Sequence, residues 1–359
     1  MEARPVQHRA RIAYLAAATL IAVVAAGVRV PGLEARPMHG DEANQAIRAW
    51  QLHDTGVYRY DPHEHHGPTL YYAALVPMAL AGTTTADALQ AWHVRVVPVA
   101  FGVAVVLVLL AMPGLLTAPG ALAAAALYAL SPAAIYYSRY FIQETLFVFF
   151  MLAMLAAAGR YAQRPALGSA VVFGIALGFA HATKETVVLA LAAGGVALVV
   201  AGGLAWWRDG WRPHAQLTRH LAYGAAAFAV AGLASVAWFS NGFTYWRGPL
   251  DSVLTYATYL GRAEGTGSVA PHEWPWHYYL RLLLYHHREA GPVWSEWPIV
   301  LGGAGALVWL LAAPLRGEPR RHAWRFLAVF ALVLTALYST IGYKTPWNLL
   351  VPYTALTMT

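Results

Sequence analysis

Residues 38–72 read MHGDEANQAIRAWQLHDTGVYRYDPHEHHGPTLYY. This stretch holds two adjacent carboxylates, Asp41 and Glu42, then Asp54, Asp61 and Glu64. It also holds five histidines: His39, His53, His63, His65 and His66. The sequence on either side is apolar enough to live in a bilayer. Ionisable chemistry beside membrane-spanning segments marks a functional site by default. The contrast points to a polytopic membrane protein with one chemically rich external loop.

Working outward, Ile12 to Val28 is a nearly uninterrupted apolar run, preceded by Arg4, Arg9 and Arg11 and followed by Arg29. A cleaved leader starts similarly, but no small-residue cleavage site closes this run, so it is taken as a retained first span. Further spans are expected at Val94–Met112, Ala121–Tyr137, Phe141–Ala158, Ala166–Ala182, Thr186–Leu204, Leu221–Phe239, Trp297–Ala313 and Trp324–Gly342. A last one begins near Trp347 and meets the chain end, as in a fragment or an unusually short family member. Each is close to the ~20 residues that cross the hydrocarbon core. Residues 1–359 thus read as a single all-α domain of about ten transmembrane helices. Two external loops stand out, 31–92 and the aromatic-rich 240–296.

Composition agrees. Hydrophobic residues make up 59% of the chain and charged residues 11%, with a mean hydropathy of +0.47. Soluble domains are nearer a quarter charged. The absence of cysteine rules out a disulfide framework and thiolate chemistry. The net charge of +7 does not indicate nucleic acid, because the basic residues are scattered over short loops.

Loop charge sets an expected orientation. With the N-terminus in the cytoplasm, the inner segments carry twelve basic residues, Arg4 to Arg325, against three acids (Glu2, Asp209, Glu318). That bias is the positive-inside pattern. It places residues 38–72, 138–141, 181–185, 240–296 and 343–346 together on the extracytoplasmic side.

Within the first external loop, Ala43, Ile47 and Trp50 recur at helical spacing, so Asp41–His53 is expected to be a helix along the membrane surface. Gly67-Pro68 is expected to open a second helix, with Pro68 at its first position and Pro77 kinking it. Trp276–His287 reads as a further surface helix.

Each motif carries a plain and a chemical reading. Asp41 and Glu42 suit a helix start, where acids complement the dipole; as general bases they would take a proton from an acceptor hydroxyl. His66-Gly67-Pro68 is ordinary turn chemistry, or an anion site built from His66 and helix N–H groups. His63, His65 and His66 invite a divalent metal, but their spacing is irregular and no metal is expected. Arg95 and Arg139 sit near helix ends, where arginine commonly snorkels. Glu144 lies a turn into an apolar run and needs a cation, for which Arg139 is the expected partner. Lys184 and Lys344 are the chain's two lysines, both external. A compact ammonium suits a phosphate oxygen.

In this order and topology, these residues resemble the GT-C superfamily of membrane glycosyltransferases. The likeness is to the dolichyl-phosphate-mannose–protein mannosyltransferase branch, which includes the lipid A aminoarabinose transferases. It is closest to a prokaryotic flippase-activity-associated family marked by DE, HGP and two arginines, here Asp41-Glu42, His66-Gly67-Pro68, Arg95 and Arg139. The resemblance is best over residues 38–190, and YKTPWNLLVPY is similar to a late segment of the superfamily. It implies a GT-C bundle with two interfacial helices in the first external loop. It also implies an inverting transferase that uses a polyprenyl-phosphate sugar, with no cofactor. Asp41 would be the base, assisted by Glu42 and Glu144. His66, Arg95, Arg139, Lys184 and Lys344 would surround the donor phosphate. Partners would be the lipid-linked donor, membrane lipids and an acceptor that is a protein, lipid or glycan. The competing reading is a non-catalytic flippase or flippase partner. Transporters place ionisable groups near the midplane on broken helices, whereas here they gather at one surface, which favours the enzyme.

Overall fold

The computed structural model describes residues 3–63, 66–209, 217–263, 272–287, 289–313, 318 and 320–359. Glu2, Glu64, His65, Arg212, Arg316 and part of the aromatic-rich loop (264–271) lie outside these.

The described residues form helices and no strand; two isolated bridges, Glu273 with Tyr343 and His286 with Trp294, are their β pairing. Helix α1 (Ala3–Arg29) is followed by α2 (Gly40–Thr55), α3 (Thr69–Leu80) and α4 (Ala91–Leu110). A single turn, α5 (Pro113–Leu116), leads to α6 (Ala118–Leu130), α7 (Pro132–Tyr137), α8 (Glu144–Gln163), α9 (Leu167–His181) and α10 (Val187–Asp209). Then come α11 (Leu217–Phe239), α12 (Arg247–Ala263), α13 (Tyr278–Leu284), α14 (Trp297–Ala312), α15 (Arg321–Thr340) and α16 (Leu350–Thr357). Six of the described helices are long and apolar enough to cross a membrane: α1, α4, α8, α10, α11 and α15. Helices α3, α6, α9 and α14 are apolar but shorter.

The core lies where α4 and α8 pack, with 61% and 56% of their apolar stretches buried, against 6% for α1 and 11% for α11. Lipid gives helices no hydrophobic reason to associate, so small residues allow close backbone approach. Gly174 and Gly178 of α9 do this against α11: a methyl on either would stand 2.3 Å from the Ala227 oxygen or 2.6 Å from that of Ala231.

Buried arginines satisfy helix ends. Arg29 donates to the Tyr128 and Ala129 carbonyls at the end of α6, at 3.1 and 2.9 Å. Arg325 donates to Leu310 and Ala313 at the end of α14. These last-turn carbonyls have no partner within their own helix.

The expected span Ala121–Tyr137 is two helices. Pro132 has no N–H to continue the ladder, and Ser131 caps the new helix by accepting from Ala134 N at 3.0 Å. Glu296 holds the break, accepting from Ser131 Oγ at 2.8 Å, Ala133 N at 2.9 Å and Tyr353 OH at 2.7 Å. The expected surface helix Trp276–His287 shortens to α13, because His286 and Trp294 exchange backbone hydrogen bonds of 2.8 and 2.7 Å and draw the chain out straight. Pro68 stands one residue before α3, not at its first position.

The loops sort to two ends. At one, the Gly114 carbonyl accepts from Gln163 and Arg320, and Trp324 donates to Leu115. At the other, segments 31–42, 58–63, 66–69, 138–143, 182–186 and 343–348 meet. This second end carries the candidate site.

Candidate active site

Helix α2 begins with a reciprocal cap. His39 Nδ1 accepts from Asp41 N, and the Glu42 carboxylate accepts from His39 N, both at 3.2 Å. Two otherwise orphaned donors are thereby satisfied. Glu42 then turns fully inward. Arg95 donates to it twice, Nε to Oε1 at 2.8 Å and Nη2 to Oε2 at 2.9 Å. Arg36 Nη1 adds a contact at 2.9 Å and Phe141 N one at 3.0 Å. Burial alone would raise the Glu42 pKa, but Arg95, the Phe141 and His39 N–H groups and Arg36 hold it below the usual carboxylate range. Arg95 spends its other donors on the carbonyls of Leu33, Arg36 and Pro37.

Glu42 and Arg95, expected as a catalytic helper and a phosphate contact, are therefore mutual partners that tie α2 to α4 and the 33–37 loop. Asp41 is different. Its carboxylate is half-exposed, with His39 Nδ1 at 3.4 Å. Burial and then the Asp41 and Glu42 charges push the neighbouring Tyr140 phenol up.

Helix α2 turns one face inward. Glu42, Gln45, Ala46, Ala49 and Leu52 are buried, whereas Ile47 is exposed. Polar contacts hold that face inward: Tyr71 OH and Gln143 Nε2 both donate to Gln45 Oε1, at 2.5 and 2.9 Å.

Glu144 begins α8, buried, and its partner is Lys184 rather than Arg139. Lys184 Nζ contacts Glu144 Oε1 and donates to Asn348 Oδ1 at 2.7 Å. Arg139 instead holds the first loop, through the carbonyls of Pro31 at 2.6 Å and Gly32 at 3.0 Å. Lys344 is buried and donates to the Trp274 and Ile341 carbonyls. Burial lowers its pKa. It pins the 272–274 segment beside 341–344, and its ammonium points at backbone oxygens.

His66 is engaged too. Its Nδ1 lies 2.7 Å from Glu185 Oε2, and Tyr60 donates to Glu185 Oε1 at 2.9 Å. Tyr259 of α12 approaches the same ring nitrogen at 3.1 Å. Burial would raise the Glu185 pKa, yet His66 and these hydrogen bonds hold it low. At the start of α3, Thr69 N donates to Ala182 O and Tyr71 N to Pro68 O. The 182–185 turn thus takes up His66 and the Thr69 N–H, two of the groups expected to hold an anion. Among the described residues no three His, Asp or Glu side chains gather as metal ligands.

Glu185, Asn348, Tyr140 and Trp347 carried no assigned role in the sequence reading. Asn348 and Trp347 sit in the quoted YKTPWNLL segment, so proximity to Lys344 was the available signal. These residues join the two halves of the site. The Trp347 ring stacks 6.2 Å from Tyr140, beside Asp41, and the next residue, Asn348, accepts from Lys184. Asp41 and the Glu144–Lys184 pair therefore lie at one end of the bundle.

A helical bundle with this arrangement has the GT-C fold of membrane glycosyltransferases. Residues 65–241 match the family described as dolichyl-phosphate-mannose-protein mannosyltransferase. Among solved structures, the chain is similar to ArnT from Cupriavidus metallidurans bound to undecaprenyl phosphate, at 19% identity and a TM-score of 0.66, over 97% of this chain and 58% of that one. It is also similar to the Archaeoglobus fulgidus oligosaccharyltransferase, at 15% identity and a TM-score of 0.61, over 96% of this chain and 49% of that one. The same organism's AglB, in complex with an inhibitory peptide and a dolichol-phosphate, aligns at 14% identity and a TM-score of 0.59. The chain thus spans between about half and three fifths of the length of these proteins. No curated protein matches it in sequence.

Proposed function

We propose that this protein is an inverting glycosyltransferase that takes a sugar from a polyprenyl-phosphate donor at the extracytoplasmic face. The positive-inside bias supports that orientation, with the N-terminus in the cytoplasm. The observation that carries the proposal is the shared end of Asp41 and the Glu144–Lys184 pair, joined through Tyr140, Trp347 and Asn348.

In this reading Asp41 accepts the proton of an acceptor hydroxyl. The hydroxyl oxygen bonds to the anomeric carbon from the face opposite the phosphate. The bond from that carbon to the phosphate oxygen breaks, and its electron pair leaves with the polyprenyl phosphate. Lys184, fixed by Glu144 and Asn348, meets the growing negative charge. A prearranged cation is worth most where charge develops, because it need not reorganise during the step. Glu42, Arg95, Arg139 and Lys344 hold the loops that frame these groups. His66 and Glu185 hold the first external loop onto the 182–185 turn.

The test is transfer of radiolabel from undecaprenyl-phosphate sugars to membrane acceptors. Asp41→Asn is expected to abolish labelling while leaving undecaprenyl phosphate binding intact. Label transfer at wild-type rate by that variant removes Asp41 as base. Donor binding without transfer by the wild-type chain supports a lipid-handling partner instead.

A further inference from the structure

The geometry points to an aromatic platform for the donor sugar ring, built from Tyr136, Tyr137, Tyr140 and Trp347 between Asp41 and Lys184. This inference rests on the transferase reading and assigns the sugar subsite within it. Two separated parts of the chain supply the rings: residues 136–140, at the end of α7 and in the turn after it, and the segment before α16. Tyr140 and Trp347 stack, 6.2 Å apart with ring planes 29° from parallel. Tyr137 meets the Trp347 edge at 6.3 Å, and Tyr136 stacks on Tyr140 at 5.8 Å. Trp294 closes on Tyr136 at 5.3 Å. Arg36 lies over the Tyr136 and Tyr140 rings at 5.4 and 5.0 Å while it pairs with Glu42, so the platform is clamped to the start of α2. Thr145 donates to the Tyr137 carbonyl at 3.0 Å, which fixes the platform's other edge at the start of α8.

Its place between the two charged groups decides what it holds. The acceptor hydroxyl enters at Asp41, and the phosphate leaves at Lys184. The group between an attacking oxygen and a leaving phosphate is the sugar that carries the anomeric carbon. A pyranose presents a face of C–H groups that rests well on tyrosine or tryptophan, while its hydroxyls reach the polar rim. Tyr140 is buried, but Tyr136, Tyr137, Trp294 and Trp347 each keep part of their surface open. An aromatic belt that only anchors the protein at the membrane interface would have no reason to bridge Asp41 to the partner of Lys184.

The test compares two probes on the detergent-purified full chain: undecaprenyl phosphate, and undecaprenyl-phosphate-mannose. Trp347→Ala is expected to weaken binding of the mannosyl lipid roughly tenfold, close to 1.4 kcal/mol. Binding of the bare phosphate should change less than twofold. Trp347→Phe keeps a flat ring and should hold most of the affinity for the mannosyl lipid. Equal weakening for both probes, or no change for either, overturns the platform and leaves the transferase reading standing. Failure of the wild-type chain to bind either lipid overturns both. Should Trp347→Ala unfold, Tyr136→Leu provides the same comparison from another part of the chain.

Discussion

Gly67 lies directly against Ala182: a methyl group on its α-carbon would stand 2.1 Å from the Ala182 carbonyl oxygen. That contact seats the His-Gly-Pro segment on the Thr183–Glu185 turn. Around it, Thr69 and Thr183 share a hydroxyl hydrogen bond of 2.7 Å and His66 meets Glu185. The obstacle is backbone, which cannot swing aside as a side chain can. Gly67→Ala should therefore separate the two segments and destabilise the protein by about 1–3 kcal/mol. Thermal unfolding of the purified protein measures it; an unchanged midpoint would mean the segments are not seated as described.

The two neighbouring acids should behave oppositely. Glu42→Gln leaves the Arg95 charge buried and half-satisfied, which costs about 3–5 kcal/mol. Asp41→Asn touches a half-exposed group and should leave the unfolding midpoint within a degree or two of wild type, as surface substitutions shift stability by about 0.5 kcal/mol or less. Paired unfolding and transfer assays on the two variants separate structure from chemistry.

Acid should unfold the protein through Glu42 and Glu185. Both are held below the ordinary carboxylate value of 4.5 in the folded chain. The unfolded chain therefore binds protons first as pH drops. Their stabilisation is fully present above the ordinary value and is lost as pH falls through the lower native values. The share of the unfolding midpoint that Glu42 and Glu185 carry should be constant down to about pH 5 and fall below it. In Glu185→Gln the fall should be shallower. A midpoint that rises on acidification would contradict both assignments.

Lys184 and Glu144 should act as one unit. Lys184→Met is expected to slow transfer about 10²- to 10³-fold, the scale for losing one fixed charge-stabilising group. Glu144→Gln releases the ammonium from its site and should slow it by a similar order. The double variant should be little worse than either single one, since residues in one network are not additive. Multiplicative losses in steady-state transfer rates would show that the two work separately.

Six of the expected spans were legible because length and hydropathy are local properties, and 20 apolar residues identify themselves without reference to neighbours. The break at Ser131–Pro132 was less legible, since an apolar stretch reads as one span until Glu296, far along the chain, is seen to hold its ends. Asp41, Glu42, Glu144 and Lys184 were each recognisable as out of place in an apolar chain. What each was for was not. Glu42 and Arg95 answer one another across 53 positions, and Lys184 pairs with Glu144 across 40. Nearness in sequence had favoured Arg139 for Glu144, but that arginine reaches the Pro31 and Gly32 carbonyls instead.

The sequence by itself determined that the chain crosses a membrane many times and that Asp41, Glu144 and Lys184 sit at the edges of its apolar spans, because the cost of burying charge in hydrocarbon acts residue by residue. Only the tertiary structure decided which acid is spent on an arginine and which stays open, which lysine faces a carboxylate and which faces carbonyls, and which rings meet between Asp41 and Lys184. Those outcomes depend on distances between segments far apart in the chain, and no local pattern encodes a distance.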